Sequence, residues 1–487
     1  ISCCFFLKNG LYFKLMLRCN GGLSMLQNYL KKTLFIVVTL SILANPLQVN
    51  AANLVAIPQN VRPPILRPSF VQSCSAELYF KSFETKTINV FNEGTKKTTL
   101  ATTDDSGICG DNVNYNFTAD TGKLKISGSG AMADYSAYGF STDAPWEAYK
   151  SSIKSVIIDD GVTHIGDNAF NYCPSLTEVS IGNNVESIGT YAFRSCYSLN
   201  SVIIPNPVKT ISTGAFYVCT GLSSITLPES IVSIGEEAFC KCDSLASIDI
   251  PNSVQIIDDM AFASCRNLSE ISIGRGLTSI GSQVFLFCEN LSSINVSKEN
   301  LNYKSMDGVF FSKNGTELIS YPTGKTGGYV IFDYVNTIAD YAFYECINLT
   351  SVTIPDTVIS LGEWVFSYCT NLNTVNIGNG IKAIPDYAFY NCHSLPKISI
   401  GSNVESIGNY AFATCTTLLE VIYKGIFDPG DSSSDVFSFG NKSKIVLVPA
   451  NYKNSTFCGL PIKKIFVTKN YRPVHLKFRK YAPICMY

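Results

Sequence analysis

The 487-residue sequence is poor in histidine, the commonest general base and metal ligand, with only His164, His393 and His475. A Cys-His nucleophile pair needs a fixed geometry and a third orienting group, whereas Cys392 and His393 are adjacent and diverge in a regular coil. No paired-carboxylate motif and no Gly-rich nucleophile turn is present. Gly128-Ser-Gly-Ala-Met-Ala133 has the spelling of a dinucleotide fingerprint, but no βαβ unit follows it. Gly324-Lys-Thr326 resembles a phosphate loop whose required earlier glycine is Ile319, and it reads as a turn. These absences predict a protein that is not an enzyme and holds no cofactor or metal. Positive charge is not in excess either: the formal net charge is −1 and the pI about 6.4, so nothing attracts nucleic acid or anionic lipid. No apolar run approaches the roughly 20 residues of a membrane-spanning helix, which predicts a mature chain with no integral membrane segment.

What is present is one phrase repeated ten times, clearest as V-E-S-I-G-T-Y-A-F-R-S-C-Y-S-L over Val185 to Leu199. Its Phe recurs every 23 residues at Phe170, Phe193, Phe216, Phe239, Phe262 and Phe285, then after a gap of 58 at Phe343, Phe366, Phe389 and Phe412. Three residues after each comes Cys173, Cys196, Cys219, Cys242, Cys265, Cys288, Cys346, Cys369, Cys392 or Cys415, and six after it comes Leu. A fixed period of this length marks a solenoid. The run L-x-x-V-x-I alternates like a half-buried strand, and Ala-Phe-x-x-Cys has the closer spacing of a helical or 3₁₀ turn. Each copy is then one coil with a strand on one side, and stacking buries what a single coil cannot. Strands about 4.8 Å apart would give ten coils a parallel sheet roughly 50 Å long.

Eighteen cysteines in an exported chain would ordinarily point to disulfides. Ten of them occupy one station per coil and form a column with parallel side chains, about 4.8 Å apart against the roughly 3.8 Å Cβ separation of a disulfide. They read as buried small hydrophobes whose thiols donate weakly to loop carbonyls. Any disulfide would be drawn from Cys74, Cys109, Cys458 and Cys485, outside the repeats.

The phrase V-x-x-I-G-x-x-A-F-x-x-C-x-x-L-x-x-V-x-I-P resembles the BspA-type leucine-rich repeat, also called the Treponema pallidum class, over about residues 153–423. The resemblance implies a right-handed leucine-rich-repeat solenoid, and a protein that adheres to host matrix proteins or other cells.

In order, residues 1–24 resemble no functional segment and read as an upstream artefact of translation. Residues 25–51 have the layout of a signal peptide: Lys31 and Lys32, an apolar run from Leu34 to Leu43, and Val49-Asn50-Ala51 for cleavage. Residues 52–105 read as a spacer and 106–150 as an N-terminal cap, with a hairpin around Leu124 and Ile126 and with Trp146 and Tyr149 as apolar plugs. The solenoid takes 151–426, with a hairpin insertion near 300–330 signalled by Asn314-Gly315. A C-terminal cap at 427–466 and a basic tail at 467–487 complete the chain.

The outward strand positions form ladders of small hydroxyl and amide groups, and Ser180, Thr226, Asp249, Ser272, Asn295, Thr353, Asn376 and Ser399 are the candidate binding face. Tyrosines, among them Tyr191, Tyr344, Tyr387 and Tyr410, line the coil turns as a second surface for glycan or protein. The expectation is a secreted or surface-exposed protein that recognises an extracellular protein or glycan by many weak contacts. Two alternatives stand beside it: a structural coat or spacer protein without a specific ligand, and a hydrolase or redox protein built on an accessible thiol such as Cys240.

Overall fold

The computed structural model describes residues 2–6, 12–16, 103–430, 435–440 and 443–465. The signal-peptide layout, most of the spacer, the basic tail, Cys74, Cys485 and His475 lie outside the described residues. The chain divides into two compact units, Ile1–Gly94 and Thr95–Tyr487. In the first, Ser2–Phe6 pairs antiparallel with Tyr12–Met16.

The second unit is a solenoid of about twelve turns, almost without helix. Each coil supplies one strand of three to six residues from the L-x-x-V-x-I run and a short strand, two residues long after the first coil, from the Ser-Ile run, as in Ser247–Ile250 and Ser233–Ile234. Both kinds pair in parallel with their counterparts one period on, except between Ser224–Thr226 and Ser247–Ile250 and between Ser360–Leu361 and Ala383–Ile384. Ser247, Ile248, Asp249 and Ile250 face Glu270, Ile271, Ser272 and Ile273, which in turn face Ser293, Ile294, Asn295 and Val296. Register is pinned because a one-residue slip would turn Ile248 and Ile250 outward.

The third side of each coil is the Ala-Phe-x-x-Cys turn. Within the coil Ala192, Arg194 and Cys196 donate their N–H groups three residues back, to Gly189, Tyr191 and Phe193. The alternate N–H groups, of Tyr191, Phe193 and Ser195, donate to Thr213, Ala215 and Tyr217 of the next coil at 2.7–3.0 Å. The predicted tight turn is therefore a chain of i→i−3 turns, and it cannot run on as a helix because φ is positive two residues before and two after each Phe. All twenty such positions have φ of 54–64°, and only Gly214 among them is glycine. Left-handed φ disfavours an L side chain, most of all a β-branched one such as Val218 or Thr414. Seventeen of the twenty donate their N–H to the neighbouring coil, and those hydrogen bonds hold them there.

The Phe rings stack into two columns, Phe170 to Phe285 and Phe343 to Phe412, with centroids 4.8–6.4 Å apart, and the stacking extends beyond the ten repeated stations. Trp146 stacks on Phe170 and its Nε1–H donates to Ala169 O at 2.7 Å, closing the first coil. Tyr321 stacks on Phe343, and Phe437 on Phe412. Aspartates three residues before the Phe tie coils together further: Asp167, Asp259, Asp340 and Asp386 accept the N–H of Thr190, Ser282, Glu363 and Asn409 at 2.6–2.8 Å.

At the N-terminal end, Asp105–Gly110, Val113–Thr118 and Lys123–Gly128 form an antiparallel set, with Leu124 opposite Phe117 and Ile126 opposite Tyr115. Lys123–Gly128 then pairs in parallel with Ser155–Ile158 and starts the solenoid sheet. Tyr149 stacks on Phe117 at 4.4 Å and donates to Asp105. In the middle, Tyr303–Met306, Val309–Ser312 and Glu317–Ser320 form two successive hairpins, turning at Asp307-Gly308 and Asn314-Gly315. Asp307 and Gly308 both have positive φ, the requirement of a type I′ turn. Phe310 joins the first core cluster and its strand neighbours Val309 and Phe311 the second, so this strand separates two stacks of coils. Past Tyr423 the sheet gains Ile445–Pro449 and Leu460–Ile465, both parallel, and Thr456–Phe457 folds back over the last strand.

Candidate functional site

Alternation along each strand sends Val and Ile into the core and leaves small polar groups outside. The eight candidate residues all stand at these outward positions, Ser272, Thr353 and Ser399 half-buried and the other five exposed. The register gathers six of them into two triads, Asp249-Ser272-Asn295 and Thr353-Asn376-Ser399. Ser180 and Thr226 are not gathered. Ile157 and Ile203 hold the same station in the flanking coils, and Ile203 is 75% exposed, so the polar ladder breaks there.

All of the first triad, and Thr353 and Asn376 of the second, border shallow depressions across neighbouring strand ends. The first, of about 510 Å³, is lined by Asp249, Ser272 and Asn295 over a floor that includes Ile250, Pro251 and Ile273, with Glu229 at its rim. The second, of about 560 Å³, is lined by Thr353 and Asn376 with Asp333 and Asp356. Gly274 lets neighbouring strand ends close up, since a Cβ there would lie 2.6 Å from Pro251 O. The polar groups in these ladders bond to one another: Asn376 Nδ2 donates to Thr353 Oγ1 at 3.3 Å and Ser293 Oγ to Asn295 Oδ1 at 2.7 Å. Exposed ion pairs Lys125–Asp159 and Lys397–Glu420 link neighbouring strands. Such a face can exchange hydrogen bonds with a flat polar partner and offers few deep pockets.

The repeated Phe and Cys stations lie inside, every member 6% exposed or less. From Cys196 on, eight of the thiols donate to the carbonyl oxygen of the preceding coil's Phe at 3.0–3.3 Å, and Cys346 donates to Tyr321 O at 3.8 Å. Burial pushes Cys219 and Cys288 up to about 12 and Cys173, Cys196 and Cys242 well above the ordinary thiol value. Cys109 and Cys458 are buried free thiols in the first and second core clusters respectively. Cys240, the thiol on which a redox chemistry would rest, is 6% exposed beside Ala263 and Leu286.

His164 bridges Ser187 Oγ and Asp134 Oδ1 at 2.7 and 3.1 Å, and His393 meets Thr416 Oγ1 at 3.3 Å while Cys392 points to Phe366 O. Among the described residues no group of three or more His, Cys, Asp or Glu could hold a metal ion, and no helix is long and apolar enough to cross a membrane.

Sequence reasoning missed two features of the turn face. Trp364 joins the tyrosines, 3.9 Å from Tyr387 and nearly parallel to it. Glu345 has its carboxyl pushed up to about 7, by burial first and by Glu289 second, with Arg266 acting the other way. The ten-copy alignment carried a signal for both: Glu345 is the one carboxylate at its station, and Trp364 stands at a station that holds Tyr in four other copies.

A family model described as BspA type leucine rich repeat region matches residues 147–242, 186–316 and 336–457, in six copies. Among solved structures, a leucine rich cell surface protein from Faecalibacterium prausnitzii is 29% identical at a TM-score of 0.53, covering 69% of this chain and 93% of its own. A leucine-rich repeat protein from Eubacterium ventriosum is 26% identical at 0.50, covering 74% of this chain and 97% of its own. The pneumococcal vaccine antigen PcpA is 18% identical at 0.52, covering 71% and 89%, and shares the fold. No curated protein matches the chain.

Proposed function

The chain belongs to the BspA-type leucine-rich repeat family, and from that membership we propose that it is secreted or presented at a cell surface, where its long-strand face recognises extracellular protein or glycan. The supporting observation is the pair of similarly built depressions, each spanning three strand ends and each rimmed by carboxylates and amides. The Faecalibacterium neighbour, named a cell surface protein, supports the placement.

Neither depression contains the Trp, Tyr or Arg anchors of a tight single site. Affinity arises instead by linkage: once one depression is engaged, the second acts at an effective concentration set by the rigid coils between them, for a gain of about 10²–10⁴. A non-enzymatic role agrees with the burial of Cys240 and of the ladder thiols.

The test is binding of the full chain to immobilised matrix proteins, mucin-type glycans and whole cells, with Asp249→Lys and Asn376→Lys made singly and together. Saturable binding to one class, weakened roughly a hundredfold by either change and abolished by both, is expected. If no class binds and the protein associates only with itself, the coat or spacer reading replaces this one.

A further inference from the structure

The turn that carries each Phe also presents aromatic rings outward, and over the last four repeats these become continuous. Tyr341, Trp364, Tyr387 and Tyr410, each two residues before its Phe, are half-buried and stack in one column, with centroids 6.4, 3.9 and 5.1 Å apart and interplanar angles of 6–14°. Beside it Tyr344, Tyr368 and Tyr390 are tilted 51–64° to one another, so this second row does not cover its own ring faces. Asp340, Glu363 and Asp386 directly precede three rings of the first column. Glu345 adds a carboxyl whose Oε2 lacks a hydrogen-bond partner, and Asp435 accepts the Tyr410 hydroxyl at 2.9 Å. Residues 339–349, 362–372, 385–395 and 408–418 include no Lys or Arg.

An earlier coil shows what such rings hold. Arg194 lies over both Tyr191 and Tyr217, 5.5 and 5.6 Å from their centroids, and the two rings meet edge to face at 6.3 Å and 82°. Moved along the solenoid to the Phe366 coil, the same three stations are Trp364, Ser367 and Tyr390. The two rings again meet edge to face, at 6.0 Å and 64°, and Ser367 stands where the arginine stood.

We infer that the turn ridge over the Phe343 to Phe412 coils is a docking surface for a basic, arginine-bearing polypeptide segment of a partner, separate from the strand face. Carboxylates spaced one per coil, about 4.8 Å apart, are matched by a chain carrying several cations and not by one small cation. Arginine fits better than lysine because its planar guanidinium both stacks on rings and takes a carboxylate in two hydrogen bonds.

The test titrates the full chain with nona-arginine, nona-lysine, nona-glutamate and a neutral oligosaccharide, by calorimetry and tryptophan fluorescence. Trp364 is one of two tryptophans, and the other, Trp146, is 1% exposed and acts as an internal reference. Nona-arginine is expected to bind more tightly than nona-lysine, to shift the Trp364 emission and to weaken with added salt. Glu363→Lys and Trp364→Leu should each weaken it at least tenfold, with circular dichroism unchanged. Asp249→Lys, the same charge reversal on the strand face, should change it less than twofold. Equal losses from Glu363→Lys and Asp249→Lys, binding of the oligosaccharide in place of the basic peptide, or no binding at all overturns the proposal. Strand-face recognition is read by a different variant, so either idea can fail alone.

Discussion

Phe239 is the most direct test of the stacked column. Its ring is fully buried and lies between Phe216 and Phe262, with centroids 5.5 and 5.4 Å away and planes within 9°. Truncation to Ala removes the transfer term and leaves a cavity bounded by two rigid coils, which places the loss at about 3–5 kcal/mol. Phe239→Leu keeps most of the apolar volume but gives up two ring pairs at about 0.5–1.5 kcal/mol each, so its loss should be about 1–3. A double-mutant cycle adds the directional part. Phe239 and Phe262 touch and should couple, whereas Phe239 and Phe389 belong to different core clusters and should add within about 0.5 kcal/mol. Urea unfolding of the full chain measures each value, and hydrogen exchange locates the weakened coils, since a repeat array can unfold in more than one step. A loss below about 1.5 kcal/mol for Phe239→Ala, or a distant pair that couples as strongly as neighbours, would refute the column as the axis of stability.

Glu345 makes stability fall with pH: its folded carboxyl keeps a proton up to about 7, and the unfolded one releases it near 4.5, so the folded state is penalised progressively across that window and fully above it. Glu345→Gln should therefore stabilise by about 1–2 kcal/mol at pH 8, allowing for the partial solvent contact of the group, and by nothing at pH 4; equal effects at both pH values in thermal melts would exclude this cause. Gly214→Ala should destabilise by about 1–3 kcal/mol, through the left-handed φ of 57° and a Cβ only 2.0 Å from the Tyr191 ring, and an unchanged urea midpoint would contradict the geometry.

The period of 23 made the ring column legible, because equal contour between Phe residues places equal chemistry on equal stations. It failed where the contour changed. Tyr321 precedes Phe343 by 22 residues with a different ring, and Phe437 follows Phe412 by 25, yet both stack, because the column selects a flat apolar ring more strictly than a spacing. The Asp307-Gly308 turn was legible by its residue types and went unread beside the more conspicuous Asn314-Gly315. The left-handed φ values were not legible at all. Tyr, Glu, Val and Lys are not residues that announce such a conformation, and what imposes it is a set of N–H groups bonded to the next coil, which exists only once coils are stacked. At the candidate site the triads followed from register, but the depressions did not, since their shape depends on how closely the strand ends around Pro251 and Gly274 approach.

Ten copies within one chain form their own comparison, and it separates what the stack needs from what it leaves open. The Phe, Cys and Leu stations are constant because each is buried in the stack, the rings on one another and the thiols against the preceding coil's Phe carbonyl. The station two before the Phe is constant in a different way: its φ is fixed within 54–59°, while its side chain is Asn, Tyr, Gly, Glu, Met, Gln, Tyr, Trp, Tyr and Tyr in order along the chain. Backbone bonding sets that conformation and imposes nothing on what projects from it. A run of four aromatic rings at such a station, three of them preceded by a carboxylate, is thus not required by folding. The same freedom holds on the strand face, where Asp249, Ser272 and Asn295 share one register and one outward station with three different chemistries. Chemical variety at geometrically uniform stations gives a solenoid its means of specificity, and here it sets the two proposed surfaces apart: amides and carboxylates over shallow depressions on the strands, and rings and carboxylates on the turns.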